Sequence, residues 1–356
     1  MNIKDRMILA DFKKEKENFI KLEQIVADKL KGIVSSSNVL TTGIEHRVKT
    51  ESSLEGKLHK NGDYYQNLSD LTDLLGARII CYFSDGVDVI GKKIEEEFDI
   101  DWKLSSDKRA LIKADRFGYL SLHYICSLKK EQGYAEELTN KKFEIQIRSI
   151  LQHAWAAICH DLGYKTEFGV PRSVVRQFAR LAGLLELADD EFVRTRENIF
   201  SYTENIRSKI INDDAQDVLI DIISLREYMQ KNKKMQEFIA KIADIEGSEI
   251  TYVVPDSYIE QLAFLKIKTI GDLQRALKLT EKTAYKLAYK SLKGSELDIL
   301  TSNTALRFLT RAYLVRNGYK ETQIANFIML TTSNEARATR QAKALLKSYE
   351  EIKGEL

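Results

Sequence analysis

The stretch Phe143-Glu144-Ile145-Gln146-Ile147-Arg148 alternates strictly between apolar and polar side chains. Successive side chains of a β-strand point to opposite faces, so the three apolar groups would share one face and the carboxylate, amide and guanidinium the other. The stretch therefore predicts a half-buried strand with a chemically diverse polar face. An ordinary sheet with its polar side in water would show the same alternation, so this pattern alone assigns no function.

A second run, Tyr119-Leu120-Ser121-Leu122-His123-Tyr124, alternates in the same way and places an aromatic ring, a hydroxyl and an imidazole on one face. Further β-rich residues lie at 77–83, and helical patterns such as 87–98 separate the runs. This order predicts an α/β or α+β domain in the middle of the chain.

A carboxylate and a cation precede the apolar pair Ile79-Ile80. Asp73 lies just before this strand, and Arg78 lies at its start. If Asp73 lies beside Glu144, the two carboxylates would suit Mg²⁺, which takes one or two protein carboxylates and completes its shell with phosphate and water. Taken alone, Asp73 would equally suit the cap of a helix or a turn.

Basic residues precede this strand in the segment 46–57. Ser53 and Lys57 are four residues apart and would share one face of a helix, while Arg47 and Lys49 alternate on the extended lead-in. This arrangement would suit the binding of a polyphosphate by these side chains. Charged runs are usually solvated surface, and that alternative remains open for this segment.

Helical patterns dominate the two ends of the chain. Residues up to about Leu30 form an amphipathic pattern, and almost everything after Pro171 has apolar residues spaced by three or four. Turn signals after residue 205 predict a domain boundary between about 205 and 250, which we set at 210/211. The sequence thus predicts a domain over 1–210 and a helical accessory or regulatory domain over 211–356.

Composition narrows the classes of partner. The 356 residues carry a formal charge of +2, so no global basic field indicates long duplex nucleic acid as the main partner. No signal-like or membrane-spanning apolar run is visible, which predicts a cytoplasmic protein without a membrane partner. The three scattered cysteines, Cys81, Cys126 and Cys159, are expected to be reduced core thiols.

Five segments in order resemble the synthetase domain of the RelA/SpoT family over about residues 40–200. The matching residues are Arg47, Lys49, Ser53 and Lys57; Asp73, Gly76 and Arg78; Gly118, Tyr119, Ser121 and His123; Glu144, Gln146, Ile147 and Arg148; and Trp155-Ala156, His160 and Tyr164-Lys165. The resemblance implies an α+β fold, with a mixed β-sheet, nucleotidyltransferase-like domain flanked by helices and followed by an all-α C-terminal domain.

The resemblance also implies an activity. Family members transfer the β,γ-pyrophosphate of ATP to the ribose 3′-hydroxyl of GTP or GDP, giving (p)ppGpp and AMP, with Mg²⁺ as cofactor. Asp73 and Glu144 would be the catalytic residues and hold the metal. The ATP phosphates would contact Arg47, Lys49, Ser53, Lys57 and Arg78, and the acceptor would contact Tyr119, His123, Gln146 and Arg148.

Departures from the family pattern leave the acceptor open. Phe117 stands where an Asn is usual, and Leu120 stands where an Arg or Gln is common. One alternative is a toxin-like relative that pyrophosphorylates the 3′ end of tRNA, and a second is an inactive nucleotide-sensing interaction protein. Ribosome coupling is not expected, because the regulatory domains of the long members are not recognisable. The oligomeric state is open, with a homo-oligomer among the alternatives.

Overall fold

The fold comes from a computed structural model that describes residues 3–61, 64–107, 121–161 and 171–355, without the side chains of residues 160 and 161. The chain divides into two compact units, residues 1–196 and 197–356. The division lies inside one helix, whereas the predicted boundary at 210/211 coincides with the end of that helix. The assignment of functions to the two domains stays a prediction.

The first unit combines helices and short strands in its described part. In chain order its elements are α1 (Ile3–Ser37), β1 (Thr41–Val48), α2 (Glu51–Asn61), β2 (Leu75–Cys81), α3 (Asp85–Glu97), β3 (Asp99–Ile100), β4 (Ser106–Asp107), β5 (Leu122–Ser127), α4 (Glu136–Thr139), β6 (Phe143–Ser149), α5 (Ile150–Asp161) and the start of α6 (Arg172–Ile211). Helix α1 continues beyond the predicted end near Leu30 and stops where Asn38 adopts a left-handed φ of 56°, a conformation that Asn tolerates at helix ends.

The strands form one mixed sheet in the order β1-β2-β6-β5-β3, with β4 also paired to β5. Strands β2 and β6 are parallel, and the other pairs are antiparallel. Strand β2 begins earlier than predicted because its pairing with β1 extends to Val48↔Leu75. Arg78 therefore lies in the middle of the strand and not at its start.

One face of the sheet builds the core of the first unit. The apolar side chains of β6, Phe143, Ile145 and Ile147, are 0% exposed, and the polar ones between them are partly exposed. Burial of one such apolar side chain contributes roughly 1.5–3 kcal/mol. The alternation predicted for this strand is confirmed, and it turns the carboxylate, amide and guanidinium away from the core.

The second unit is mainly helical. After the end of α6 it contains α7 (Ile222–Lys231), α8 (Lys233–Ala243), β7 (Glu249–Thr251), α9 (Ser257–Phe264), α10 (Ile270–Leu292), β8 (Ile299–Thr301), α11 (Asn303–Arg316), α12 (Glu321–Met329) and α13 (Glu335–Ile352). The predicted helical C-terminal region is confirmed, with a small parallel pair of strands, β7 and β8, added to it.

Two further expectations concern the chain as a whole. All three cysteines are buried thiols, as predicted for the core. Within the described residues, no helix is both long and apolar enough to cross a membrane.

Candidate active site

The candidate active site lies on the polar face of three adjacent strands. In the register of the sheet, Gly76 of β2 lies between Arg47 of β1 and Glu144 of β6. These strands form the floor of a cleft of about 300 Å³. Its lining residues are Glu45, His46, Arg47, Lys49, Asp73, Gly76, Ala77, Arg78, Glu144 and Gln146. Six of the predicted site residues line this cleft. They come from three separate segments of the sequence: Arg47 and Lys49, Asp73 and Arg78, and Glu144 and Gln146.

Asp73, just before β2, is held by two ammonium groups. Its Oδ2 accepts hydrogen bonds from Lys49 Nζ at 2.8 Å and from Lys57 Nζ at 2.7 Å. Its Oδ1 is buried and has no hydrogen-bond partner. Burial on its own would raise the pKa of Asp73, but the two lysines outweigh burial and lower the pKa below its ordinary value. The carboxylate is therefore ionised, with one oxygen free to accept a further ligand.

Glu144 is fixed at both carboxylate oxygens. Its Oε1 lies 2.7 Å from Nδ1 of His123, and its Oε2 accepts a hydrogen bond from Nε2 of Gln146 at 3.0 Å. The other ring nitrogen of His123 is hydrogen-bonded to Ser121 Oγ at 2.6 Å. Two linked side chains, Ser121 just before β5 and His123 within it, thus orient the carboxylate from the neighbouring strand.

The charge of Glu144 reflects opposing effects. Burial would raise the pKa of Glu144, and the nearby Asp73 carboxylate acts in the same direction. The hydrogen bonds from His123 and Gln146, with the charge of His123, outweigh these effects and lower the pKa. Glu144 is therefore ionised at neutral pH, and the two carboxylates lie close enough to influence each other.

The two carboxylates meet the requirements of Mg²⁺. This ion takes one or two protein carboxylates and fills its remaining positions with phosphate oxygens and water. The buried, unpartnered Oδ1 of Asp73 supplies one suitable oxygen. Over the residues that the structure describes, no group of three or more His, Cys, Asp or Glu side chains could hold a metal, so the protein alone would not form a closed metal cage there.

A cationic group of side chains lies beside Glu144. Arg78 donates from Nη1 to Glu45 Oε2 at 2.9 Å, and Arg148 donates from Nη2 to Gln146 Oε1 at 2.6 Å. The Nε atoms of both arginines and Nδ1 of His153 are buried without a hydrogen-bond partner. Unsatisfied buried donors are costly, so these nitrogens would be stabilised by a ligand with acceptor oxygens.

The pKa shifts of the neighbouring groups reflect burial first and the charge of Arg78 second. Burial, followed by the charge of Arg78, lowers the pKa of Arg148 to about 10, although Glu144 and Glu45 oppose the change. Burial and the charge of Arg78 also lower the pKa of His153. Neutral His153 would be the dominant form at neutral pH, beside two charged guanidinium groups.

The remaining predicted residues have different positions. Arg47 is exposed and lines the cleft. Ser53 lies on α2, where its exposed Oγ accepts a hydrogen bond from Thr50 Oγ1 at 2.9 Å. Nζ of Lys57, on the same helix, lies 5.4 Å from the centre of the Tyr65 ring. Tyr119 lies outside the described residues, so its predicted role in the acceptor site stays a prediction.

Glu45 and His153 are among the residues of the site that were not foreseen from the sequence. Glu45 precedes Arg47 by two residues on β1, and this period-2 spacing is the signal that could have placed both on one face. His153 lies near the start of α5, directly after β6. No local pattern distinguishes it from an ordinary helical surface residue.

Comparison with known proteins assigns the class of this domain. Residues 46–168 match the family model described as a region found in RelA / SpoT proteins. This part of the chain is therefore similar to the region found in RelA / SpoT proteins, and the matched residues contain both carboxylates of the cleft.

Particular relatives are similar to the same half of the chain. GTP pyrophosphokinase YjbM of Bacillus subtilis (strain 168) is 24% identical over 153 residues, which is 43% of this chain and 71% of the relative. GTP pyrophosphokinase YwaC of the same organism is 29% identical over 167 residues, 44% of this chain and 75% of the relative. The crystal structure of small alarmone synthetase 1 from Bacillus subtilis covers 54% of this chain and 99% of its own, with 22% identity and a TM-score of 0.44.

Proposed function

We propose that this protein is a Mg²⁺-dependent pyrophosphokinase that transfers the β,γ-pyrophosphate of ATP to the ribose 3′-hydroxyl of GTP or GDP, giving (p)ppGpp and AMP. The observation that carries the proposal is the cleft in which Asp73 and Glu144 lie beside Lys49 and Arg78. The names of the two relatives, both GTP pyrophosphokinases, support the same class of reaction.

Glu144 is the proposed general base. The acceptor 3′-oxygen attacks the β-phosphorus, its proton passes to the Glu144 carboxylate, and the bond from the β-phosphorus to the oxygen shared with the α-phosphate breaks to release AMP. The lowered pKa of Glu144 makes it a weak base. A weak base is sufficient because phosphoryl transfer depends mainly on positioning and charge neutralisation.

The cations of β1, α2 and β2 are the proposed ATP site. Arg47 and Arg78 line the cleft directly, and Lys49 and Lys57 are anchored on Asp73. Asp73 and Glu144 would hold Mg²⁺, which neutralises phosphate charge when it is bound. Ser53, exposed on α2, would contribute a hydroxyl if the phosphates extend along that helix.

The acceptor site is proposed on the other side of Glu144. Gln146 and Arg148 are on β6, and His153 supplies an additional donor from α5. The acceptor contact of His123 stays a prediction. Its two ring nitrogens bond Glu144 and Ser121, so we also propose it as a positioning residue for the base. Stacking of Tyr119 on the acceptor base remains part of the proposal.

A labelled-ATP assay tests this proposal and separates the acceptors. Purified protein would be incubated with Mg²⁺, ATP labelled in the γ-phosphate, and GDP, GTP or tRNA in separate reactions. We expect label in the guanine nucleotide together with AMP, and its loss in Glu144→Gln. Glu137→Gln, which changes an exposed carboxylate on α4, should retain transfer.

Other outcomes contradict the proposal in distinct ways. Label found only in tRNA would replace the guanine nucleotide as acceptor with the tRNA alternative. Absence of transfer to all three acceptors from folded protein, or full activity of Glu144→Gln, would remove the proposed enzyme altogether and leave the nucleotide-sensing alternative.

A further inference from the structure

Two arginines of the second unit lie one helical turn apart on α11. Arg307 and Arg311 share a face of this helix, and both side chains are half-buried. Arg311 donates a long hydrogen bond from Nη2 to Gln341 Oε1 at 3.4 Å. The guanidinium of Arg307 lies 4.6 Å from the ring centre of its neighbour Phe308.

Neither arginine has an acidic partner within the described part of the chain. The contacts of Arg307 and Arg311 are those to Phe308 and Gln341, and Nε of Arg307 is buried without an acceptor. A buried guanidinium is normally paired or hydrogen-bonded, because loss of hydration is costly for a charge. Because the two guanidinium groups are close enough to repel each other, repulsion adds to the cost of their burial.

The surroundings disfavour the two charges in the absence of an anion. Burial and the charge of Arg307 lower the pKa of Arg311 to about 10, and burial lowers the pKa of Arg307. Helix α9 packs against α11. Burial raises the pKa of Tyr258 on α9, and the charges of Arg307 and Arg311 act to lower it. The site therefore combines two guanidinium forks with a nearby phenolic hydroxyl.

Another arginine of the same unit shows what a structural pair looks like here. Arg207 donates from Nε to Oε2 of Glu227 at 2.9 Å, and the Glu227 side chain is 2% exposed. The fold thus supplies a buried carboxylate as the partner of this arginine. No equivalent carboxylate accompanies Arg307 and Arg311 among the described residues.

We infer that Arg307 and Arg311 bind a phosphate group, with Tyr258 as an additional hydrogen-bonding side chain. Guanidinium groups present several donors in a fixed fork that matches phosphate oxygens. Half-buried arginines suit the terminal phosphate of a small molecule better than the phosphodiester backbone of RNA, which is generally bound by exposed basic surfaces. The site is made by residues of the second unit alone and does not depend on the proposed activity of the first.

Thermal unfolding of the full chain tests the site with inorganic phosphate as the probe. A ligand of the folded state raises Tm as its concentration increases. We expect phosphate to raise Tm more than NaCl does at matched ionic strength, and Arg307→Met and Arg311→Met to remove most of this difference. Arg316→Met, which changes an exposed arginine of the same helix, should retain it.

The response without phosphate distinguishes binding from packing. If the pair is an anion site, either Met variant relieves repulsion and should keep its Tm in NaCl close to that of the original protein. A large loss of Tm in NaCl with an unchanged response to phosphate would overturn the inference. Should a Met variant fail to fold, Arg311→Lys retains the charge without the fork and should show a weakened response; a full response would contradict the site.

The class of ligand is resolved by two further probes. Ribose 5-phosphate carries a terminal phosphate, whereas a short RNA with a free 5′-hydroxyl carries only phosphodiesters. Stabilisation by ribose 5-phosphate that depends on Arg307 and Arg311 supports the inference. Stabilisation by RNA but not by ribose 5-phosphate would overturn it. Equal effects of phosphate on all variants would also overturn it, because the phosphate would then bind elsewhere, as at the cleft of the first unit.

Discussion

Nδ1 of His123 lies 2.7 Å from Oε1 of Glu144. The antiparallel register of β5 and β6, with His123 opposite Gln146, sets this distance. The imidazole thus holds the carboxylate from a separate strand, and its second nitrogen is held in turn by Ser121. The orientation of the proposed base depends on a chain of side chains that makes no contribution to the apolar core.

Replacement of His123 should affect turnover more than ATP binding. We expect His123→Gln to lower kcat by about 10- to 100-fold, the range of a partly lost general-base contribution. Because His123 lowers the pKa of Glu144, its loss should raise that pKa and move the acidic limb of the kcat–pH profile to higher pH. His59→Gln, at an exposed position of α2, is the control; an unshifted acidic limb in His123→Gln would contradict this role.

Asp73→Asn should abolish transfer and alter the response of stability to acid. The pKa of Asp73 is lowered in the folded state, so its stabilising effect is present above the unfolded pKa and is lost as pH falls through the folded pKa. At pH 7 we expect the variant to lose roughly 1–3 kcal/mol, as for loss of a partly buried charged hydrogen bond. Urea unfolding should show the difference shrinking in acid. Asp99→Asn, at an exposed position, should show neither effect.

Lys57 should contribute mainly to binding of ATP. Its ammonium is fixed by Asp73, and although burial acts to lower its pKa, the Asp73 carboxylate raises the pKa overall, so it stays charged. Lys57→Met should raise the KM for ATP about tenfold, equivalent to ~1.4 kcal/mol. Steady-state kinetics with Lys60→Met, at an exposed position of the same helix, provides the matched comparison. Equal KM values for the two variants would argue against a phosphate contact.

Ionisation of the buried Asp189 should lower the free energy of unfolding as pH rises from acid to neutral. It is 2% exposed, accepts a hydrogen bond from Ser149 Oγ at 2.5 Å, and has its pKa raised to about 7 by burial and by the charge of Asp190. The folded state therefore binds more protons, so stability falls as pH rises from about 4 to 7. Asp189→Asn should flatten this decrease, which is on the order of 2–4 kcal/mol. An identical slope in both proteins by urea unfolding would contradict it.

Truncation tests whether the first unit works alone. A protein that ends at Arg196 retains the bidentate contact of this residue with Asp85 and should keep measurable transfer. A protein that ends at Ser208 also retains Ile206, which belongs to the core of the second unit, and should aggregate more in size-exclusion chromatography. If the shorter protein is folded by circular dichroism yet inactive with Mg²⁺ and both nucleotides, the second unit contributes to catalysis.

The sequence predicts those parts of the site that local spacing controls. The faces of β6 follow from its period of two, and Arg47 lies on an extended strand as expected, with Lys49 directly after the end of that strand. Helix α2 contains both Ser53 and Lys57. In each case, neighbours in the chain determine where a side chain points.

Contacts between distant segments could not be predicted in the same way. The pair of Arg78 with Glu45 depends on the register of β1 against β2, and the role of His123 depends on the register of β5 against β6. A shift of one residue would reverse the faces of a strand. Such registers are fixed by packing of the whole sheet, so a pattern within one strand does not reveal the partner.

Gly76 lies at a position where the fold does not require glycine but the shape of the cleft depends on it. A β-carbon built there would have no atom within 4 Å, so the chain itself would tolerate alanine in this strand. The same methyl group would project into the cleft between Arg47 and Glu144. If the proposed function holds, glycine at this position leaves room for the nucleotide and is not required by the fold, so a larger residue would give a stable protein with an obstructed cleft.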